Sequence, residues 1–137
     1  MPAKKHKQAK KSRPGKGKSK SGKSAGGGNQ WADHLTRRAK AENYPARSVY
    51  KLEEIQNKFK IMKKGGTVLD LGCAPGSWML YAAKQVGKQG RVYGIDLKAV
   101  EIKLPGNITA VQDNILNMEN ETFLSDITGL DTVLSDM

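Results

Sequence analysis

This sequence of 137 residues has few of the residues that disulfides, metal sites and membrane-spanning helices require. Cys73 is its single cysteine, which excludes an internal disulfide, and the two histidines, His6 and His34, are too scattered to indicate a zinc site. No apolar run approaches the roughly 20 residues that a membrane-spanning helix needs. The N-terminal segment also lacks the apolar region of a secretory signal. We therefore expect a cytoplasmic protein that binds no metal and does not enter a membrane.

Acidic residues are missing from residues 1–30, where nine Lys and one Arg give a charge of +10. The rest of this stretch is mainly Gly and Ser, so it predicts a disordered basic tail. Of the net charge of +11, residues 31–64 contribute +5 and residues 65–137 contribute −4. A basic tail followed by a basic segment suits a polyanionic partner, because Lys and Arg neutralise phosphates and release counterions. The alternative is a tail that only keeps the protein in solution.

The most informative stretch is 68–78, which reads as a buried strand, a tight turn and the start of a helix. Gly72 and Gly76 in the turn allow a ligand to lie against bare backbone. Their spacing lacks the third glycine of a dinucleotide site and the Gly-Lys-Ser/Thr of a phosphate loop. A ligand with an adenosine but no pyrophosphate fits better, and S-adenosylmethionine is the common one; a plain turn is the alternative. Cys73 is either a small loop residue or a thiol with a pKa lowered by the adjacent helix.

Strand and helix patterns alternate from residue 65 onward, which predicts a parallel sheet with helices on both faces. Before it, residues 31–64 predict two helices with a basic surface, one from Trp31 and one capped by Ser48. Four strands would leave a sheet edge open, so we expect a Rossmann-like α/β domain that is truncated after the fourth strand. The predicted strands are 67–71, 91–96, 107–111 and 130–136, and the predicted helices between them are 77–86 and 119–128.

The helix after Ser48 has an apolar face that we expect to pack on the sheet. Its members are Val49, Leu52, Ile55 and Phe59. Lys51 lies near the boundary of that face, so it could point along the sheet edge toward the glycine turn. The alternative is a lysine that only meets solvent.

Acidic residues come at the ends of the predicted strands. Asp96 follows Gly76 by 20 residues, the distance at which an acid meets the ribose hydroxyls of an adenosine cofactor; a helix-capping Asp is the alternative. Asp113 could accept a hydrogen bond from an adenine amino group. Asp70 and Asp136 end the first and fourth strands. Because parallel strands end at one edge of the sheet, we predict that these acids line a single cleft.

Several of these segments together resemble the FtsJ-type ribosomal RNA ribose 2′-O-methyltransferases, from about Ala46 to the last residue. The matching residues are Arg47-Ser48-x-Tyr50-Lys51-Leu52, Asp70-Leu71-Gly72-x-x-Pro75-Gly76-x-Trp78, Asp96, Asp113 and Ser135-Asp136-Met137. The resemblance implies an S-adenosylmethionine-dependent methyltransferase that acts on a ribose 2′-hydroxyl of large-subunit ribosomal RNA, with the RNA or the large ribosomal subunit as partner. The cofactor residues that it implies are Asp70, Gly72, Gly76, Trp78, Asp96, Asp113 and Asp136.

The resemblance also implies catalytic residues. Lys51 and Asp136 match the first two members of the family's Lys-Asp-Lys-Glu tetrad, and we expect the other two beyond Met137. We expect Lys51 to position the ribose rather than to act as the base. A non-catalytic RNA-binding module with the same fold is the main alternative, and a dinucleotide oxidoreductase is disfavoured by the glycine spacing.

Overall fold

The computed structural model describes residues 29–117 and 121–137. Of the tail predicted for residues 1–30, residues 1–28 therefore lie outside the described residues, whereas Asn29 caps the first helix and Gln30 begins it. In chain order the elements are α1 (Gln30–Ala41), α2 (Val49–Phe59), β1 (Thr67–Leu71), α3 (Ser77–Val86), β2 (Arg91–Asp96), β3 (Ile108–Gln112), a 3-10 turn (Ile115–Asn117), α4 (Glu121–Asp126) and β4 (Thr132–Ser135).

The three elements around the glycine turn, β1, α3 and β2, have the bounds that the sequence predicts. β3 is shifted by one residue, and β4 is shorter than predicted. β4 is short because its pairing with β1 extends only from Val68 opposite Thr132 to Leu71 opposite Ser135. Residues 119 and 120 of the predicted helix 119–128 lie outside the described residues, and α4 occupies its middle.

The four strands form one parallel sheet in the order β3-β2-β1-β4. From β1 the chain moves outward through β2 to β3 and then crosses back to the other side of β1. The direction of winding therefore reverses between β1 and β4. In open parallel sheets such a reversal leaves a crevice beyond the carboxyl ends of the two strands, where ligands bind.

Both faces of the sheet are covered, which confirms the predicted architecture. On one face Val68 and Val92 belong to a core that also contains Leu52 of α2 and Met79 of α3. On the other face the core consists of Tyr93, Ile95 and Phe123, with Phe123 supplied by α4. Because successive residues of a strand point to opposite faces, β1, β2 and β3 contribute to both cores, whereas β4 contributes only Leu134 to the first.

The buried face of α2 differs from the predicted one at its carboxyl end. Phe59 is 62% exposed, whereas Gln56 is buried. The Gln56 amide donates to the Met62 carbonyl and accepts from the Met62 N–H, both at 2.9 Å. The chain after α2 folds back over Gln56, and a glutamine satisfies the backbone groups that would otherwise be buried unpaired. Ser48 is the N-cap residue as predicted, but its side chain makes no capping hydrogen bond.

A network of charged and aromatic side chains holds α1 against α2. Arg38 donates to Glu42 at 2.9 Å and to Glu53 at 3.2 and 3.3 Å. Its guanidinium lies 4.1 Å from the centre of the Tyr50 ring, and the Tyr50 hydroxyl donates to Glu42 at 2.8 Å. Two carboxylates face this one arginine, so the basic surface predicted for residues 31–64 is weaker here than a count of lysines and arginines indicates.

Candidate active site

Two adjoining cavities lie beyond the carboxyl ends of the strands, and Gly72, Ala74 and Asp136 line both of them. The smaller holds about 60 Å³ and is also lined by Asp70 and Trp78. The larger is a cleft of about 530 Å³ whose further walls include Asp96 and Asp113. They occupy the crevice that the winding reversal between β1 and β4 opens. The predicted convergence of the strand-end acids is therefore present in the fold.

Asp70 is the most unusual of these acids, because its carboxyl group is buried and only 2% of the residue is exposed. Its Oδ2 atom has no hydrogen-bond partner. Burial, which is the largest cause, and the nearby carboxylates of Asp136 and Asp96 together raise the pKa of Asp70 to about 7. A buried oxygen that lacks a partner and faces a cavity suits a ligand with a positively charged donor group.

Asp96 fixes the glycine turn as well as lining the cleft. Its Oδ2 atom accepts from the Ala74 N–H at 2.9 Å, and its Oδ1 atom accepts from the Lys98 N–H at 2.8 Å. A carboxylate has about four acceptor positions, so both oxygens can still accept hydrogen bonds from ribose hydroxyls. The helix-capping role that the sequence left as an alternative is wrong, because β3 is the next element after Asp96 and no helix begins in the described stretch between them.

Apolar side chains form the wall of the cleft near Asp113. Ile115 and Leu116 line the cleft beside it, and Leu116 is 87% exposed. The Asp113 Oδ1 atom accepts from the Asn114 N–H at 2.7 Å. An acceptor next to an apolar wall suits a flat heterocycle with an exocyclic amine, which is the recognition chemistry of adenine.

Lys51 reaches the same place from α2. Its Nζ atom lies 2.6 Å from Asp136 Oδ1, at the end of β4. The two side chains are 60% and 34% exposed, so the pair stands at the mouth of the site, open to a large substrate. The interpretation of Lys51 as a lysine that only meets solvent is therefore wrong.

Two hydrogen bonds explain why α2 lies where Lys51 can reach Asp136. The Trp78 indole N–H donates to the Ser48 carbonyl at 2.9 Å. The Ala46 N–H donates to Ser77 Oγ at 2.8 Å. Both join the start of α3 to the chain just before or at the start of α2. Sequence reasoning missed the contributions of Ser48 and Ser77, although a serine next to the glycine turn was the available signal.

Not every predicted cofactor residue lines the cavities. Gly76 has a φ of +116°, and its Cα faces the side chains of Ile102 and Val100 rather than the cleft. Trp78 belongs to the buried core and lines only the smaller cavity. Gly72, in contrast, has a φ of +76° and lies in the wall that the two cavities share.

Cys73 is not the reactive thiol that the sequence left as an alternative. Only 3% of Cys73 is exposed, and burial raises the pKa of its thiol to about 12, with Asp70 and Asp96 adding to the effect. A thiol with such a pKa stays protonated at neutral pH and is a poor nucleophile.

Among residues 29–117 and 121–137, no three His, Cys, Asp or Glu side chains come together as a metal site would require. No helix of the same residues is long and apolar enough to cross a membrane.

A parallel sheet that reverses direction beside β1, with a glycine turn unsuited to a pyrophosphate and acids at the strand ends, defines the class of Rossmann-like methyltransferases. Within that class the chain belongs to the FtsJ-like methyltransferase family, whose model matches residues 44–137.

Curated relatives and one solved structure agree with that membership. The chain is 56% identical over 111 residues to the ribosomal RNA large subunit methyltransferase E of Desulforapulum autotrophicum, covering 80% of this chain and 54% of the relative. It is 52% identical over 110 residues to the protein of the same name from Desulfosudis oleivorans, covering 80% and 53%. A crystal structure described as a ribosomal RNA methyltransferase from Plasmodium falciparum superposes with a TM-score of 0.59 at 33% identity, covering 69% and 56%. The chain thus spans about half the length of the curated relatives it matches.

Proposed function

We propose that this chain binds S-adenosylmethionine and takes part in methylating a ribose 2′-hydroxyl of large-subunit ribosomal RNA. The observation that carries the proposal is the ion pair of Lys51 and Asp136, with an Nζ to Oδ1 distance of 2.6 Å, at the mouth of a cleft suited to an adenosine. The names of the curated relatives support ribosomal RNA as the substrate. The cytoplasmic location expected from the sequence stays a prediction.

The residues around the two cavities fit the parts of S-adenosylmethionine. Asp70 would pair with its ammonium group, Asp96 would accept from the ribose hydroxyls, and Asp113 would accept from the adenine amine. When bound, S-adenosylmethionine supplies a methyl group on a sulfonium sulfur. The sulfur leaves as a neutral thioether, which needs no protonation. The incoming hydroxyl therefore has to be aligned and has to give its proton to a base, for which the family resemblance implies the second Lys of the tetrad, and no leaving group needs to be activated.

Lys51 and Asp136 would perform the alignment. An ammonium held by a carboxylate has donors but no free lone pair, so Lys51 can hold the ribose oxygen but cannot take its proton. Asp136 accepts from Lys51 and keeps this donor at the mouth of the site. The pair would position the hydroxyl for in-line attack, and a mispositioned hydroxyl reacts slowly even when both substrates are bound.

A methyl-transfer assay with radiolabelled S-adenosylmethionine and unmodified large-subunit RNA tests this proposal. The change is Lys51→Ala, and we expect turnover to fall about 100-fold, the scale on which single oriented donors act. Calorimetry should find the dissociation constant for S-adenosylmethionine unchanged, because Lys51 does not line the cleft that would hold it. Full turnover in the Lys51→Ala protein would contradict the proposal.

Two further variants make the result specific. Asp96→Asn should weaken S-adenosylmethionine binding itself, the opposite pattern from Lys51→Ala. Lys88→Ala is the matched lysine control, because Lys88 is exposed and follows α3 at the far edge of the sheet. If the wild-type chain binds RNA but not S-adenosylmethionine, the non-catalytic binding module is the better interpretation.

A further inference from the structure

A second concave surface lies between α1 and α2, and the site described above uses only its end. This groove holds about 920 Å³, and its lining includes Trp31, His34, Arg47 and Lys58. Ser48 and Lys51 also line it, so the groove opens directly onto the Lys51–Asp136 pair. A polymer whose reacting sugar lies at that pair could continue along the groove.

Aromatic side chains at the far part of the groove face solvent. Trp31 is 67% exposed, in the first turn of α1. Its ring centroid lies 5.8 Å from that of His34, with the ring planes 37° apart. An exposed tryptophan beside a second ring offers a platform on which a nucleobase of any sequence can stack.

The charge of the groove suits a phosphate backbone. Arg38, Arg47, Lys51 and Lys58 line it, against the two acids Glu53 and Glu54. Arg38 already pairs with Glu53, and Lys51 pairs with Asp136. The charges that remain are those of Arg47 and Lys58 against that of Glu54, so the groove keeps a net positive charge. Residues 1–28, with nine Lys and one Arg, join the chain next to Asn29, which also lines the groove. A polyanion entering here meets positive charge from both the groove and the attached segment.

The groove is formed before any partner binds. Arg38 crosses from α1 to Glu53 on α2, and the Tyr50 ring lies under its guanidinium. The Tyr50 hydroxyl returns to Glu42 at the end of α1. These contacts fix the distance between the two helices, so a ligand does not have to order the walls that it contacts.

We propose that this groove binds a single-stranded stretch of RNA next to the target ribose, with one base stacked on Trp31 and phosphates facing Arg47 and Lys58. The inference rests on the proposed function, because it takes the reacting ribose to lie at Lys51 and Asp136. Single-stranded RNA is favoured over a duplex because only unpaired bases can turn a face to an aromatic ring.

Binding of a fluorescently labelled, unstructured RNA oligonucleotide to the full chain tests the inference. Trp31→Ala should weaken the affinity about 10-fold, the scale of one lost base stack, and Trp31→Tyr should restore most of it. Leu124→Ala is the control, since Leu124 is 43% exposed on α4 and does not line the groove. A blunt-ended RNA duplex should compete poorly with the oligonucleotide.

The possible results separate this inference from the proposed function. Unchanged affinity in Trp31→Ala, or an equal loss in Leu124→Ala, would overturn the proposal that RNA lies in the groove, even if the wild-type protein transfers methyl groups to RNA. Binding that depends on Trp31 without any methyl transfer would support RNA in the groove and refute the proposed function. Equal competition by the blunt-ended duplex would reject a single-stranded ligand.

Discussion

Asp70 combines two properties that stability alone would not favour, a buried carboxyl group and an oxygen atom without a hydrogen-bond partner. The pKa of about 7 means that the free protein gains little from ionising this group at neutral pH. A bound cation would reverse that preference, because an opposite charge favours the carboxylate. Residues of this kind are kept where binding requires them.

The raised pKa of Asp70 should make the free energy of unfolding depend on pH. The folded pKa of Asp70, about 7, lies above the ordinary value of about 3.9, so the unfolded chain loses its proton first as pH rises. The contribution of Asp70 to stability is therefore complete below about pH 4 and is lost as pH rises to about 7, at about 1.4 kcal/mol per pH unit. Urea unfolding at several pH values should show this slope in the difference between wild type and Asp70→Asn.

The same variant separates stability from binding. Affinity of the wild type for S-adenosylmethionine should rise as pH increases through about 7. Asp70→Asn should bind weakly at every pH, since its amide cannot become an anion. A pH-independent difference in unfolding free energy would show that Asp70 ionises in the fold as it does in water.

The helix α3 packs closely against the sheet, and Gly94 in β2 makes this approach possible. A Cβ at Gly94 would overlap Met79 Sδ of α3 and lie 2.9 Å from Cys73 Cβ in the turn. The turn itself is tied to β2, because the Gly72 and Cys73 N–H groups both donate to the Ile95 carbonyl. Close packing at this point therefore sets the height of the glycine turn above the strands, and with it the shape of both cavities.

The tight contact at Gly94 predicts the effect of adding a methyl group there. Gly94→Ala should lower the free energy of unfolding by about 1–3 kcal/mol, because the added methyl group meets a packed sulfur and a backbone-anchored cysteine. It should also weaken S-adenosylmethionine binding by displacing the turn. Gly106→Ala is the control, since no atom lies within 4 Å of a Cβ there. The free energy of unfolding would be measured by chemical denaturation. Equal values for Gly94→Ala and Gly106→Ala would contradict the claim that close packing at Gly94 excludes a methyl group.

Across the whole molecule, charge is separated along the chain. Residues 1–30 carry +10, whereas residues 65–137, which supply the strand-end acids, carry −4. The acidic part of the chain forms the cleft suited to a cationic cofactor, and the groove that opens onto the same site is lined by residues 29–58, which belong to the basic part. This distribution suits an enzyme that binds a positive small molecule and a negative polymer side by side.

The basic residues of 1–28 should make RNA affinity depend on the salt concentration. Replacing the nine Lys and one Arg of residues 1–28 by Gln should lower RNA affinity and flatten its dependence on salt. Each lost phosphate contact lowers the slope of log K against log salt by about 0.7 for single strands. Binding of S-adenosylmethionine should be unchanged, because the strand-end acids lie in residues 65–137. An unaltered salt slope, measured by fluorescence anisotropy, would show that these residues make no phosphate contacts.

The sequence alone determined the parallel α/β sheet, the bounds of β1, β2 and α3, and the acids that end its strands. These features follow from local patterns: the apolar runs of buried strands, the spacing of Gly72 and Gly76, and the periodicity of a helix. The resemblance of short motifs to a known family added the match of Lys51 and Asp136.

Only the tertiary structure decided which residues meet. Lys51 and Asp136 are 85 positions apart, and their contact depends on α2 being tied to Ser77 and Trp78 and on β4 crossing back beside β1. Two other features also depend on chain segments that pass nearby in space. One is that Gln56 is buried while Phe59 is exposed, and the other is that Arg38 pairs with two acids. A local pattern fixes the direction of a side chain relative to its own element, whereas its partners depend on how the elements pack.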